Sequence, residues 1–183
     1  GYRLHASHQQ IHQQYALIPA QIDSFASGET QAAQPMQSFS SGDMVTEVIT
    51  EYRQIHGQDF FSDYLRAIRT NRRLDDDPAG PQSLVIWEDE QVVLFVPKAQ
   101  VSQWEVQIIT KPDQQGCWPG NILETDALVR NSLDTALLKA QQALARGGAR
   151  MVTSIEWSKR FNASHCSQPL IYSLMPKLPQ SPG

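Results

Sequence analysis

The sequence predicts an α+β fold: an antiparallel sheet with flanking helices. Three observations predict it. Helical and strand-like periods come in blocks, in the order two helices, three strands, one long helix, two strands. The first two strand candidates are separated by the short polar connection Glu88-Asp89-Glu90, which calls for an antiparallel hairpin. No short βαβ repeat of the kind that builds a parallel sheet is present.

The elements justify themselves in order. Residues 1–19 are polar and rich in Gln and His, and residues 20–42 are rich in Ser, Gln, Ala and Gly, with Pro35 and no clear period. That second stretch reads as an exposed loop or linker. It is longer than an ordinary connection, so it predicts a boundary between a segment 1–42 and a domain 43–183. Val45, Val48, Ile49, Tyr52 and Ile55 then recur at helical spacing, and Gly57 stops that helix. Phe60, Phe61, Tyr64, Leu65 and Ile68 predict a second amphipathic helix, followed by a turn-rich break at 75–81. Strands are predicted over 83–87, 92–97 and 104–110, and residues 117–121 read as a loop. Thr125 is the expected N-cap of a long helix carrying Val129, Leu133, Leu137, Ala140 and Leu144, which Gly147-Gly148 ends. Strands over 151–157 and 170–175 complete the set.

Composition narrows the function. Of 183 residues, 40% are hydrophobic, enough for a real core, and the formal net charge is -4. No basic run exceeds Arg72-Arg73, so a nucleic-acid partner is not expected. No apolar run approaches the ~20 residues needed to cross a bilayer, and the first residues lack a signal-peptide core, so no membrane partner is expected either. Cys117 and Cys166 lie far apart and in no CxxC pair. They read as free thiols of a reducing cytoplasm, and they exclude a cysteine-built zinc site.

The stretch that speaks to chemistry is Ala6-Ser7-His8-Gln9-Gln10-Ile11-His12-Gln13-Gln14-Tyr15. In a strand alternate side chains share a face, which groups Gln10, His12 and Gln14. An imidazole flanked by two neutral amides suits a phosphate. The amide NH₂ groups donate to non-bridging oxygens without protonating the imidazole. The imidazole can attack phosphorus when its other nitrogen is held as a donor. A glutamine-rich tract with a chance histidine would read the same way.

This stretch resembles the active-site strand of histidine-triad nucleotidyltransferases: a small residue and Ser, two residues, then His-x-His-x-Gln. The match makes His12 the nucleophile, Gln14 the terminal glutamine that bonds the α-phosphate, and Ser7 the phosphate-contacting serine. Gln10 stands where the family has its first His, and His5 where a Gly is usual. Glu51-Tyr52 and Phe60-Phe61-Ser62-Asp63-Tyr64-Leu65 resemble the helical lead-in to the second repeat of galactose-1-phosphate uridylyltransferases. Val92-Val93-Leu94-Phe95-Val96-Pro97 and Trp104-Glu105-Val106-Gln107-Ile108-Ile109-Thr110-Lys111 resemble its paired strands. Phe161-Asn162 and Met175-Pro176-Lys177-Leu178 resemble its closing segment. Residues 1–19 would then be the tail of a first repeat, most of which lies upstream. The strand that holds metal-binding histidines in the uridylyltransferases reads Pro169-Leu170-Ile171-Tyr172-Ser173-Leu174 here, with no His, so no metal is expected.

Other candidates carry less. His5, His8 and His12 would share a face on a helix and could bind Zn²⁺, but Pro19 and the Gln-rich context oppose a helix. Asp75-Asp76-Asp77 before Pro78 and Gly80 reads as a solvated turn. Glu156 and Trp157 could line a pocket, though cross-strand packing accounts for Trp157 better. His56 beside Gly57 suits a helix C-terminus. His165 lies in a polar loop and gives no signal. Trp87, Trp104 and Trp118 belong to the core or its rim.

The resemblance implies a nucleotidyltransferase or phosphorylase acting on a nucleoside diphosphate derivative through a nucleotidyl-histidine. His12 and Gln14 would be the catalytic residues, Ser7 and Gln10 the phosphate binders, and no cofactor is needed. The expected partners are a nucleotide or nucleotide-sugar, the missing upstream repeat and a second copy in a homodimer. A non-catalytic nucleotide-binding or regulatory module is the second reading, and a structural repeat that pairs with another copy is the third.

Overall fold

The computed structural model describes residues 13–16, 18–24, 34–75, 77, 79–80 and 82–177. The chain divides into two units, Gly1–Ser40 and Ser41–Gly183.

The first unit holds a small ladder. Strands β1 (Gln21–Ser24) and β2 (Gln34–Gln37) pair antiparallel, with Gln21 opposite Gln37 and Asp23 opposite Pro35. The Ser38 N–H donates to the Ala20 carbonyl at 3.2 Å, and its hydroxyl donates to the Pro19 carbonyl. The stretch read as an exposed loop or linker is largely exposed where described, and over 21–24 and 34–37 it is paired strand rather than loop. Backbone bonds make this ladder. Its side chains are nearly all exposed, so the stretch has no apolar alternation for a sequence reading to find.

The second unit opens with α1 (Ser41–His56) and α2 (Phe60–Arg69). The N-terminal end of α1 sits tightly on the backbone at Ser158. A Cβ on Gly42 would collide with the Ser158 carbonyl, so only glycine permits the approach. The fully buried Gln168 amide donates to the Gly42 carbonyl at 3.2 Å and accepts from the Thr46 hydroxyl at 2.7 Å. Arg160 grips Asp43 through two bonds of 2.7 and 2.6 Å. Gly57, at φ 68°, ends α1 as its position suggests. The apolar stripe of α1 is only partly used: Ile49 is buried, whereas Val48 and Ile55 are exposed. Asp59 caps α2 by accepting from the Ser62 N–H at 2.8 Å, and α2 buries Phe61, Leu65 and Ile68.

Five strands follow: β3 (Val85–Glu88), β4 (Val92–Phe95), β5 (Val106–Thr110), β6 (Met151–Trp157) and β7 (Ile171–Lys177). They form one antiparallel sheet in the order β3-β4-β5-β7-β6. The fold class is therefore α+β, with helices flanking an antiparallel sheet. The β3–β4 hairpin closes as expected. Asp89 accepts from the N–H groups of Gln91 and Val92 at 2.8 and 2.9 Å, fixing the turn.

Helix α3 (Ala127–Arg146) crosses one face and buries Val129, Leu133, Ala136, Ala140 and Leu144 against Val92, Leu94, Val106, Ile108 and Leu174. Each fully buried aliphatic contributes about 1.5–3 kcal/mol. On the other face Ile49, Phe61, Leu65, Ile68 and Trp118 cover Val93, Phe95, Ile109 and Ile171. All four residues of β4 are buried because both faces are covered. The N-cap of α3 is Asp126, whose side chain accepts from the Val129 N–H at 2.9 Å, not Thr125. Thr125 is buried and donates to the Ile122 carbonyl in the preceding turn. Gly147 ends α3, and Gly148 adopts φ 96°. Trp104, at φ 62°, is exposed and lies against Gly147, where a Cβ would meet its ring at 2.8 Å.

Cys117 and Cys166 are disulfide-bonded, with a Cα–Cα distance of 4.7 Å. This corrects the reading of two free thiols and removes the thiol ground for a reducing compartment. Among the described residues, no helix is long and apolar enough to cross a membrane.

Candidate functional site

Strands β5 and β7 run antiparallel, with Ile109 opposite Ile171. The chain leaving β5 and the chain entering β7 therefore meet at one end of the sheet. Backbone bonds knit them together: Thr110 N–H to Leu170 carbonyl at 3.1 Å, Leu170 N–H to Pro119 carbonyl at 2.8 Å, and Trp118 N–H to Cys166 carbonyl at 2.9 Å. The segment after β6 joins them, with Lys159 N–H donating to the Gly120 carbonyl at 2.7 Å. Gly120 is required by the crowding, since a Cβ there would lie 2.6 Å from the Gln168 carbonyl oxygen. The turn leading to Cys117 is shaped by Asp113, which accepts from the N–H groups of Gln115 and Cys117 at 2.9 and 2.8 Å.

A cleft of about 420 Å³ opens between these loops and the α1–α2 corner. Arg53, Asp59, Ser62, Trp118, His165 and the Cys166 side of the disulfide line it. Trp118 is buried and packs on Phe61 with ring centroids 5.8 Å apart. His165 is partly buried, and its Nδ1 has no hydrogen-bond partner among the described residues. Burial holds its imidazole below the ordinary histidine pKa, with the Lys159 and Arg53 charges pushing the same way and Glu124 opposing them. The buried Lys159 ammonium lies 2.7 Å from Glu124 and donates to the His165 carbonyl at 2.7 Å. Arg53 meets Asp59 at 3.6 Å, beyond hydrogen-bond distance. The cleft thus holds an imidazole whose pKa burial lowers, a guanidinium 3.6 Å from the Asp59 carboxylate, and a disulfide on its wall. A neutral imidazole can accept a proton or a hydrogen bond from a ligand.

A second polar feature lies on the same sheet face. Buried Glu105 accepts from the Val101 N–H at 2.7 Å and from the Gln107 amide at 3.0 Å. Gln107 also donates to the Ser173 hydroxyl at 3.1 Å, and so does the Trp157 indole N–H, at 3.1 Å. This row crosses β5, β7 and β6. It gives Trp157 the cross-strand role expected of it. Glu156 is exposed and accepts from the Tyr172 hydroxyl at 2.8 Å.

Of the site residues read from the sequence, Gln14 is exposed and outside any strand. Ser7, Gln10 and His12 lie outside the described residues, as do His5 and His8. In β7, Ile171 is buried and Ser173 is engaged by Gln107 and Trp157. Among the described residues, no group of three or more His, Cys, Asp or Glu side chains could hold a metal ion.

No family model matches the chain, and no curated protein matches it. Among solved structures it is similar to a histidine triad protein from Clostridium difficile, at 13% identity and a TM-score of 0.38, covering 61% of this chain and 99% of that one. A likeness of that size carries no argument about chemistry.

Sequence reading missed His165 and the disulfide. The available signal was positional. Cys117 follows β5 and Cys166 precedes β7, so pairing those strands brings both cysteines to one sheet end. The pairing is not visible in the spacing of the cysteines.

Proposed function

We propose that the chain is a nucleotide-handling protein of histidine-triad type, in which covalent chemistry falls to His12 and the second unit serves as its scaffold. The observation that supports this division is the state of β7. Its central polar side chain, Ser173, accepts from Gln107 and from Trp157, so the strand that resembles the family's metal-binding strand offers no histidine ligand and serves the sheet. The support for His12 itself is its place in the order Gln10-Ile11-His12-Gln13-Gln14, between two amide donors. The missing metal ligands favour the second reading, a non-catalytic nucleotide-binding module.

In the proposed ping-pong reaction an imidazole nitrogen of His12 forms a bond to the α-phosphorus of a nucleoside diphosphate derivative. The bond to the distal phosphate breaks, and that phosphate leaves with the electron pair. An acceptor phosphate then displaces the imidazole and takes the nucleotide. Gln10 and Gln14 would donate to the non-bridging oxygens, and Ser7 would position the phosphate. The nucleotide pocket would be completed by the upstream repeat that the resemblance implies, with a second copy of the chain as a further expected partner.

The test is intact-mass analysis of the protein, together with any upstream half, after exposure to nucleoside diphosphate sugars and dinucleoside polyphosphates. We expect an acid-labile nucleotidyl adduct, lost in His12→Ala and formed about 10²-fold more slowly in Gln14→Ala, the usual cost of one oxyanion donor. Reversible nucleotide binding without any adduct would replace the enzyme with a binding module.

A further inference from the structure

We propose that the Cys117–Cys166 disulfide is a reversible redox-modification site, whose reduction by a dithiol loosens the wall of the His165 cleft while the sheet stays folded. This rests on the second unit alone and stands apart from the nucleotide reading. Three observations carry it. The bond joins two loops rather than two core elements: Cys117 closes the turn after β5, and Cys166 lies between His165 and Ser167, ahead of β7. Cys166 is exposed and lines the cleft, so a reductant can reach it. The sheet beneath does not depend on it, because β5 and β7 are paired from Val106–Leu174 to Ile109–Ile171 and are buttressed by the Leu170 N–H to Pro119 bond.

The exchange balances with a dithiol as the two-electron donor. One thiolate of the dithiol attacks Cys166 Sγ, forming a mixed disulfide and expelling Cys117 as a thiolate, which takes a proton from water. The second thiol of the dithiol then closes its own disulfide and releases Cys166. The protein cystine is reduced to two thiols and the dithiol is oxidised. Once the bond is open, the Trp118 N–H to Cys166 carbonyl bond is the backbone tie nearest the two cysteines, with the Leu170 N–H to Pro119 bond holding the loops closer to the sheet. His165, next in sequence to Cys166, then gains access to water, and its imidazole should titrate closer to the ordinary histidine value because burial is the main cause of its shift.

The experiment equilibrates the full chain with reduced dithiothreitol under native conditions, counts thiols by alkylation and mass spectrometry, and follows amide hydrogen exchange. We expect both thiols to become alkylated. Exchange over residues 113–118 and 161–167 should speed up by about tenfold or more, with β4, β5 and β7 unchanged. Re-oxidation should restore the slow pattern, and Cys166→Ser should reproduce the reduced one. Resistance to reduction in the folded state would overturn the proposal. So would reduction without faster loop exchange, or loss of protection throughout the sheet, which would make the bond a structural staple.

Discussion

On one face of the sheet a single helix, α3, lays Val129, Leu133, Ala136, Ala140 and Leu144 across aliphatic partners from three strands. On the other face, two shorter helices and the Trp118 loop share the work. That face mixes aromatic rings with the polar row Glu105–Gln107–Ser173–Trp157, the disulfide and the His165 cleft. The first face has one element and one period, so nothing in it can shift without opening the core. The second is assembled from separate pieces tied by side-chain bonds, and it leaves polar atoms accessible at the sheet end. The α3 face is the uniformly apolar one, and the other face carries the polar groups and the cleft.

The contrast can be broken most forcefully at Leu133, at the centre of the α3 contact. Leu133→Ala should cost about 2–5 kcal/mol, because a packed aliphatic face collapses poorly around a cavity. A thermal melt matching the parent protein would mean that α3 is not docked as described.

Ser173 offers a smaller and more local test on the opposite face. Ser173→Ala removes the acceptor of the Trp157 indole N–H and one acceptor of Gln107. The expected loss is about 1–3 kcal/mol, the cost of stranding a shielded donor, measured by urea unfolding. A neutral result would show that water satisfies the indole, and that the row does not brace β6.

The smallest effect concerns pH. The folded state holds His165 below 6.5, so below that pH the unfolded chain binds more protons than the folded one. Stability from this group is full above pH 6.5 and is lost as pH falls through the lowered folded-state value. Denaturation midpoints between mildly acidic and neutral pH should therefore drift downward with acidification, and His165→Gln should flatten that drift. An unchanged slope in the variant would assign the drift to other groups.

These differences also explain what the sequence made legible. Helix α3 announces itself because burial imposes a 3.6-residue period on it, and strand β4 because burial on both faces leaves an unbroken apolar run, Val92–Phe95. The α1 stripe was only half informative. Val48 and Ile55 fit the helical period yet face solvent, since period reports the helix and not what covers it. Thr125 and Asp126 are both good caps by type, and only backbone geometry distinguishes them. The β1–β2 ladder leaves no pattern because its side chains are not buried. The disulfide and the His165 cleft depend on which strands pair, a long-range fact that no local window contains. Of the nucleotide-site residues, Gln14 alone falls among those described, exposed and outside any strand.

The division of labour between the units is tested most directly by locating a covalent adduct. The protein, with any upstream half, would be trapped with a nucleoside diphosphate donor, digested under alkaline conditions and sequenced by fragment mass spectrometry. We expect the nucleotidyl mass on His12 and on no residue of 41–183. An adduct on His165, the imidazole that lines the cleft, would contradict the scaffold role of the second unit and place the chemistry there instead.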